Sequence, residues 1–332
     1  MKNTAPYIIA EIASAHEGDP AFARKLFKLA AATGTDAVKF QLFNRNHLLS
    51  RFHPKFESFG EIEIAPEEWV EILKECSQFP VDIIVEAFDE ASLELAESTG
   101  VAAAYKLPTS DISNTPFLQS MAATGKTIFL GVGGAMVGEI AEALQTLKAA
   151  QSGPVILMHG FQAYPTHISD TNFARLTALY QKFGLRTGYA DHIDADDWEV
   201  ASLVPSMALS AGATVIEKHF TDDRSRKGRD HYSSLNPGEF KKFVVLIRNA
   251  AKAIGVFEDT LNDAERTYRN QMKRHAVAAC DMDAGTPLSV ENVTFKRTNQ
   301  EGLTLASILE LSGKSLVLKK QKDQPLLTED FK

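Results

Sequence analysis

The feature that most constrains this chain is an alternation, repeated eight times, of a short apolar run and a one-faced helical stretch. In the helical stretches, apolar residues recur every three or four positions, as in a helix that buries one face. Such alternation indicates a parallel sheet, and eight units in roughly 250 residues predict a closed (β/α)8 TIM barrel. A doubly wound open sheet is the alternative. The apolar runs are YIIAEIA (7–13), AVKFQLF (37–43), DIIVEAF (82–88), AAYKLPT (103–109), TIFLGVG (127–133), VILMHGF (155–161), RTGYADH (186–192) and TVIEKHF (214–220).

The pattern changes after residue 258, where the sequence becomes polar and then turns to short strand-like runs. We predict a barrel over residues 1–258, a polar helical linker over 259–274 and a small β-rich domain over 275–332. A Pro-Leu pair followed by an acidic residue occurs twice in the small domain and suggests a faint internal repeat. A domain of this size builds little core alone, so we expect it to pack on something larger.

Charge and cysteine content narrow the class of protein. The net charge is −8 at pH 7, so a nucleic-acid partner is not expected, because phosphate binding favours a basic surface. Cys76 and Cys280 lie far apart and lack metal-site spacing, which fits a reducing cytoplasm better than a disulfide scaffold. No apolar run approaches the ~20 residues of a membrane span, and the first residues lack a signal-peptide layout. We expect a cytoplasmic protein that binds small molecules.

Two histidines stand near the ends of the seventh and eighth apolar runs. His192 closes RTGYADH, and His219 is the penultimate residue of TVIEKHF. Because the C-terminal ends of barrel strands carry the reaction site, these imidazoles can share one divalent ion. Further polar residues interrupt or follow the eight runs, in greater number than packing requires: Glu11, Lys39, Gln41, Glu86, Lys106, Thr109, Asp111, His159, Gln162, Tyr164, Asp191, Glu217 and Lys218.

Six segments carry a resemblance that covers nearly the whole chain. They are IIAEIASAHEGD (8–19), DAVKFQLF (36–43), YKLPTSDISNTPFL (105–118), YPTHISDTN (164–172), GYADHI (188–193) and GATVIEKHFTDDRSRKGRDHYSSLNPGEF (212–240). With these segments the chain resembles the N-acetylneuraminate (sialic acid) synthase family, which includes legionaminic and pseudaminic acid synthases. The resemblance implies a barrel followed, from about His275, by an antifreeze-like (SAF) domain. It also implies condensation of phosphoenolpyruvate with an N-acyl-mannosamine-type sugar aldehyde to a nonulosonic-type acid, with release of phosphate.

The resemblance assigns roles to particular residues. His192 and His219 match two ligands of a divalent metal ion, expected to be Mn²⁺, with Mg²⁺ or Co²⁺ as alternatives. The matched catalytic residues are Glu11, Lys106 and Asp111, the last of which stands where most members carry glutamate. The positions matched to donor and phosphate binding are Lys39, Lys106, Thr109, Glu86, Gly131 and Ala190. The positions matched to sugar binding are Gln41, Gln162, Tyr164, Asp230 and Arg297. Arg297 would act in the barrel of a partner subunit within a domain-swapped homodimer, although Thr298 replaces the proline that usually follows it.

Several donor positions depart from the family pattern. Small hydroxyl residues are usual where this chain has Glu86, Gly131 and Ala190, and Gln162 replaces asparagine or serine. Each lost hydroxyl removes about 1–1.5 kcal/mol of hydrogen bonding to a neutral partner. A carboxylate beside a phosphate repels it unless it is protonated or paired with a lysine, such as Lys39 or Lys106.

These departures leave three functions open. The leading hypothesis is a synthase that uses phosphoenolpyruvate. The second is a diverged, metal-dependent enzyme that forms the carbon–carbon bond with another donor, and the third is a non-catalytic sugar-binding paralogue. A buried lysine requires an anion. The lysines therefore indicate an anionic ligand or, alternatively, a lysine–glutamate pair within the core, for instance Lys218 with Glu217 or Glu86.

Overall fold

Eight parallel strands close into a barrel, in sequence order, in the computed structural model, which describes residues 5–161, 163, 165–256, 258–298 and 300–332. Closure by pairing of the first strand with the eighth confirms the predicted TIM barrel and excludes the open sheet. The strands are β1 Tyr7–Ala13, β2 Ala37–Leu42, β3 Asp82–Ala87, β4 Ala104–Leu107, β5 Thr127–Gly131, β6 Val155–His159, β7 Thr187–Asp191 and β8 Ala213–His219.

Helices connect successive strands and cover the barrel. They are α1 Pro20–Ala31, α2 Arg45–Leu48, α3 Phe56–Gly60, α4 Pro66–Cys76, α5 Glu90–Thr99, α6 Thr115–Ala123, α7 Val137–Ala149, α8 Phe173–Phe183, α9 Trp198–Ser210 and α10 Pro237–Ile254. Helix α1 illustrates the local reasons for this order. The Asp19 side chain accepts hydrogen bonds from two backbone N–H groups of the first turn, Pro20 supplies the fixed φ of a helix start, and Leu26 and Phe27 are buried. The short helices α2 and α3 were not predicted from the sequence.

Inside the barrel, the side chains of the strands form two layers of different character. Because successive side chains point to opposite faces of a strand, Val215, Glu217 and His219 of β8 share one face. Val215 belongs to an apolar cluster that also contains Ile9, Ala37, Ile84, Ala104, Phe129, Ile156, Met158 and Ala190. Two positions further along β1 to β4 stand Glu11, Lys39, Glu86 and Lys106, all buried. The barrel therefore carries an apolar layer below and an ionisable layer at the C-terminal ends of its strands.

The chain divides into two compact units, with the division after Val256. The second unit contains α11 Asp263–Met272, β9 Arg274–Ala278, β10 Val293–Arg297 and α12 Leu305–Glu310. Strands β9 and β10 form an antiparallel pair over a separate core that includes Ala276, Leu288 and Leu326. This small β-rich unit fits the antifreeze-like domain that the resemblance implies. Within the described part of the chain, no helix combines the length and apolarity needed to cross a membrane.

His16, in the turn that follows β1, has a buried imidazole. The residue is 1% exposed, and its ring meets that of Trp69 edge-on, with centroids 5.6 Å apart. Its Nδ1 accepts a hydrogen bond of 3.1 Å from the backbone N–H of Gly18. Burial lowers the pKa of His16 to about 4, against the smaller opposing effect of Asp19.

We expect His16 to make stability depend on pH. The pKa of His16 is about 6.5 in the unfolded chain and lower in the folded protein. The contribution of the neutral His16 side chain to the free energy of unfolding is therefore complete above pH ~6.5 and is lost as the pH falls towards ~4. The full loss is about 3 kcal/mol. Urea unfolding of the wild type and His16→Phe, at about pH 7 and about pH 4, should show their difference in unfolding free energy shift by that amount. If the unfolding free energies of the two proteins change by the same amount between these pH values, the expectation is wrong.

Candidate active site

The ends of β7 and β8 bring His192 and His219 together. Their ring centroids lie 5.1 Å apart, with 56° between the ring planes. The preceding residues, Asp191 and Lys218, are register partners and form a fully buried ion pair, with Lys218 Nζ 2.5 Å from Asp191 Oδ2. Lys218 Nζ also donates to the carbonyl of Ile193. This ion pair ties the two strand ends together at the point where the imidazoles begin.

Both imidazoles are held in the neutral form that binds metal ions. Burial and, after it, the charge of Lys106 lower the pKa of His192 to about 3. Burial and His192 lower the pKa of His219 well below its usual value. No cluster of three or more His, Cys, Asp or Glu placed to hold an ion occurs among the residues that the structure describes. The two adjacent neutral imidazoles are a donor set that fits an open metal site, in which other positions would remain for water or substrate.

Five charged side chains from β1, β2, β3, β4 and β8 form what we call the lysine–glutamate cluster: Glu11, Lys39, Glu86, Lys106 and Glu217. Lys39 Nζ lies 2.6 Å from a Glu11 oxygen, 2.7 Å from a Glu86 oxygen and 3.0 Å from a Glu217 oxygen. Lys106 Nζ lies 2.6 Å from the same Glu217 oxygen and 3.9 Å from Glu86. Lys39 and Lys106 are thus each paired with glutamates inside the protein, as the alternative of a lysine–glutamate pair within the core requires. Lys218, the example suggested from the sequence, pairs instead with Asp191.

The pKa values of this cluster reflect competition between burial and charge. Burial works to raise the pKa of Glu86 and of Glu217, but the two lysines outweigh it and hold both below the usual value. Burial works to lower the pKa of Lys106, and Glu217 and Glu86 raise it above its usual value. For Lys39, burial prevails and the pKa lies below its usual value.

A cavity of about 240 Å³ opens beside this cluster. Its lining includes five of the six positions expected at the donor site: Glu86, Lys106, Thr109, Gly131 and Ala190. The expected metal ligand His192 lines it too, whereas Lys39 is not among the lining residues. Close approach of two backbones explains Gly131, because a Cβ there would lie 2.8 Å from the Thr109 nitrogen and 2.9 Å from its Oγ1. A serine at that position would require the Thr109 segment to shift.

Of the remaining predicted residues, Gln41 contacts the lysine–glutamate cluster and Asp111 does not line the cavity. Gln41 donates to Glu86 over 3.1 Å, at the edge of the cluster. Asp111 lies in a 3₁₀ turn, where it accepts hydrogen bonds from Ser110 and Asn114, and it is not among the cavity-lining residues.

Asp230 lies in the loop after β8, where burial raises its pKa and the backbone of Ser14 hydrogen-bonds to it. Arg297 is exposed at the end of β10, in the second unit. The sugar-binding predictions for Gln162 and Tyr164 lie outside the described residues.

Glu217 was not among the predicted site residues, although it contacts both lysines of the cluster. The sequence held a signal for it, because residues two apart on a strand share a face, and Glu217 precedes His219 by two. A site at His219 therefore implied an inward-facing carboxylate one step lower on the same strand.

Comparison with known proteins agrees with the resemblance seen in the sequence. Residues 26–259 match the NeuB family. An N,N'-diacetyllegionaminic acid synthase of Campylobacter jejuni is 31% identical over 345 residues, which cover 99% of this chain and 100% of that protein. The pseudaminic acid synthase of Helicobacter pylori is 26% identical over 340 residues, 98% of each chain.

Among solved structures, the N-acetylneuraminic acid (sialic acid) synthetase of Leptospira borgpetersenii serovar Hardjo-bovis, in complex with citrate, superposes with a TM-score of 0.74 at 27% identity. The superposition covers 81% of this chain and 93% of that structure. A family match over the larger part of the barrel, with a 31%-identical relative aligned along almost the entire sequence, establishes that the chain belongs to the NeuB family of sialic acid synthases and their relatives.

Proposed function

We propose that this chain is a synthase that joins C3 of an enolpyruvate-type donor to the aldehyde carbon of an N-acyl-mannosamine-type sugar. The product is a nonulosonic-type acid. With phosphoenolpyruvate as donor, water attacks C2 of the donor and phosphate leaves. The relatives whose names describe legionaminic and pseudaminic acid synthases support a product of this class.

The observation that carries the proposal is the convergence of two imidazoles, two lysines and Glu11 on one rim of the barrel. A divalent metal ion, with Mn²⁺ as the first candidate, would be held by ring nitrogens of His192 and His219 and would polarise the aldehyde oxygen as a Lewis acid. Lys106 lines the cavity and would bind the donor's carboxylate. Glu11 would orient the sugar or move a proton at its aldehyde oxygen.

A second candidate reaction keeps the sugar aldehyde and uses a donor without a phosphate group. Glu86 favours it, because its carboxylate lines the cavity and contacts the lysines that a phosphate would otherwise engage. The homodimer and the action of Arg297 on a partner subunit stay predictions.

The test supplies the purified protein with Mn²⁺, a panel of N-acyl hexosamines in aldehyde form and one donor at a time. We expect a product of the mass of a nonulosonic-type acid, detected by mass spectrometry, and release of inorganic phosphate only where the donor is phosphoenolpyruvate. The His192→Ala variant serves as the control and should form no product. Absence of any condensation product with every donor and sugar would refute the proposal.

A further inference from the structure

The lysine–glutamate cluster already contains more negative than positive charge. Three carboxylates surround two ammonium groups, and the ammonium of Lys39 contacts all three of them, from Glu11, Glu86 and Glu217. The five side chains are buried, so water screens their charges little. With these groups ionised, the cluster carries one net negative charge before any ligand enters.

The cavity offers an incoming anion little compensation. Of the described residues that line it, Lys106 is the only lysine or arginine. Glu86 lines the same cavity and contributes a carboxylate. Gly131, Gly160 and Ala190 line the cavity without a side-chain donor, and Thr109 and Ser110 contribute hydroxyl groups. A phosphate dianion placed here would face a carboxylate, with one lysine and two hydroxyl side chains among the described lining residues to replace its lost hydration.

We propose that Glu86 determines donor specificity, and that the donor is a 2-oxo acid with one carboxylate and no phosphate group, of which pyruvate is the smallest. This inference rests on the proposed function. A divalent ion at the histidines would change the site total from one negative to one positive charge, which a single carboxylate neutralises. Phosphoenolpyruvate adds about two further negative charges through its phosphate, and the described residues that line the cavity include no lysine or arginine besides Lys106 to balance them.

The chemistry with such a donor balances without a leaving group. One C3–H bond of the 2-oxo acid breaks, and its proton passes to a carboxylate of the site and then to solvent. C3 forms the new bond to the aldehyde carbon, and the aldehyde oxygen takes up one proton. Nothing is oxidised or reduced, no water is consumed, and the 2-oxo group remains in the product.

Calorimetric titration tests this directly, with pyruvate and phosphoenolpyruvate each added to the Mn²⁺-supplied protein. The wild type should bind phosphoenolpyruvate at least about tenfold more weakly than pyruvate, because like charges placed together are costly. Glu86→Gln should strengthen phosphoenolpyruvate binding at least about tenfold and strengthen pyruvate binding by a smaller factor, because the phosphate carries the larger negative charge. Glu75→Gln, which removes an exposed carboxylate on α4, is the matched control and should change neither. The comparison of the two donors in the wild type needs no variant.

Particular outcomes separate this inference from the proposed function. Equal affinity of the wild type and Glu86→Gln for phosphoenolpyruvate overturns the inference, as does an equal gain in Glu75→Gln. Wild-type product formation from phosphoenolpyruvate at the kcat/KM of Glu86→Gln also overturns it, while the proposed function stands. If no donor gives a product, the proposed function fails, and the ratio of the two affinities still decides the role of Glu86.

Discussion

Replacing Lys39 with methionine is expected to destabilise the barrel by about 3–5 kcal/mol, a large fraction of the stability of a typical domain. The Lys39 side chain is 1% exposed, and its ammonium contacts three carboxylates. Methionine fills similar volume but leaves those carboxylates without their shared cation. A buried ion pair adds little beyond an apolar replacement, whereas removal of one partner leaves an uncompensated buried charge.

Urea unfolding near neutral pH, followed by circular dichroism, measures this effect. The matched control is Lys25→Met, because the Lys25 side chain is 59% exposed and its ammonium pairs with Asp222 over 2.8 Å. It should lose less than about 1 kcal/mol, as exposed ion pairs do. Adding Glu86→Gln to Lys39→Met should recover part of the lost stability, because one of the buried carboxylates left without a cation is replaced by a neutral amide. A Lys39→Met variant as stable as the Lys25→Met control would show that the cluster is not held by this lysine.

The barrel was predictable because its determinants are local. Each strand is a short apolar run, and each helix repeats its apolar residues at the period of one buried face, so both could be recognised in a single sequence. The predicted run at residues 7–13 coincides with β1, and the run at 127–133 exceeds β5 by two residues. Hydrogen bonding between strands ends where the loops begin, and that limit depends on neighbouring strands rather than on the run itself.

The partners within the site were less predictable because they depend on closure of the barrel. Glu217 and Lys39 are 178 residues apart, and they meet only because β8 pairs with β1 and β1 with β2. Which of several acids reaches which lysine follows from the stagger of those strands, which the pattern of apolar residues does not specify. The pairing of Lys218 with Asp191, rather than with a glutamate, has the same origin.

The imidazole pair yields the prediction with the largest expected effect on activity. We expect His219→Ala to lose measurable Mn²⁺ binding and to lower kcat/KM at least about 1,000-fold, because Lewis-acid stabilisation of developing charge contributes several kcal/mol. His219 is 3% exposed and its ring lies against that of His192, so alanine removes one of the two nitrogen donors. The Lys218–Asp191 ion pair beside it remains, so the strand ends should keep their register.

Mn²⁺ affinity measured by calorimetry separates this role from a structural one, because it requires no turnover. The matched control is His53→Ala, which removes an exposed imidazole from the loop between α2 and α3 and should leave both Mn²⁺ affinity and kcat/KM unchanged. Circular dichroism shows whether each variant keeps the wild-type fold. A folded His219→Ala protein that binds Mn²⁺ as tightly as the wild type would mean that the ion is held elsewhere, and that the two neutral imidazoles only fill the top of the barrel.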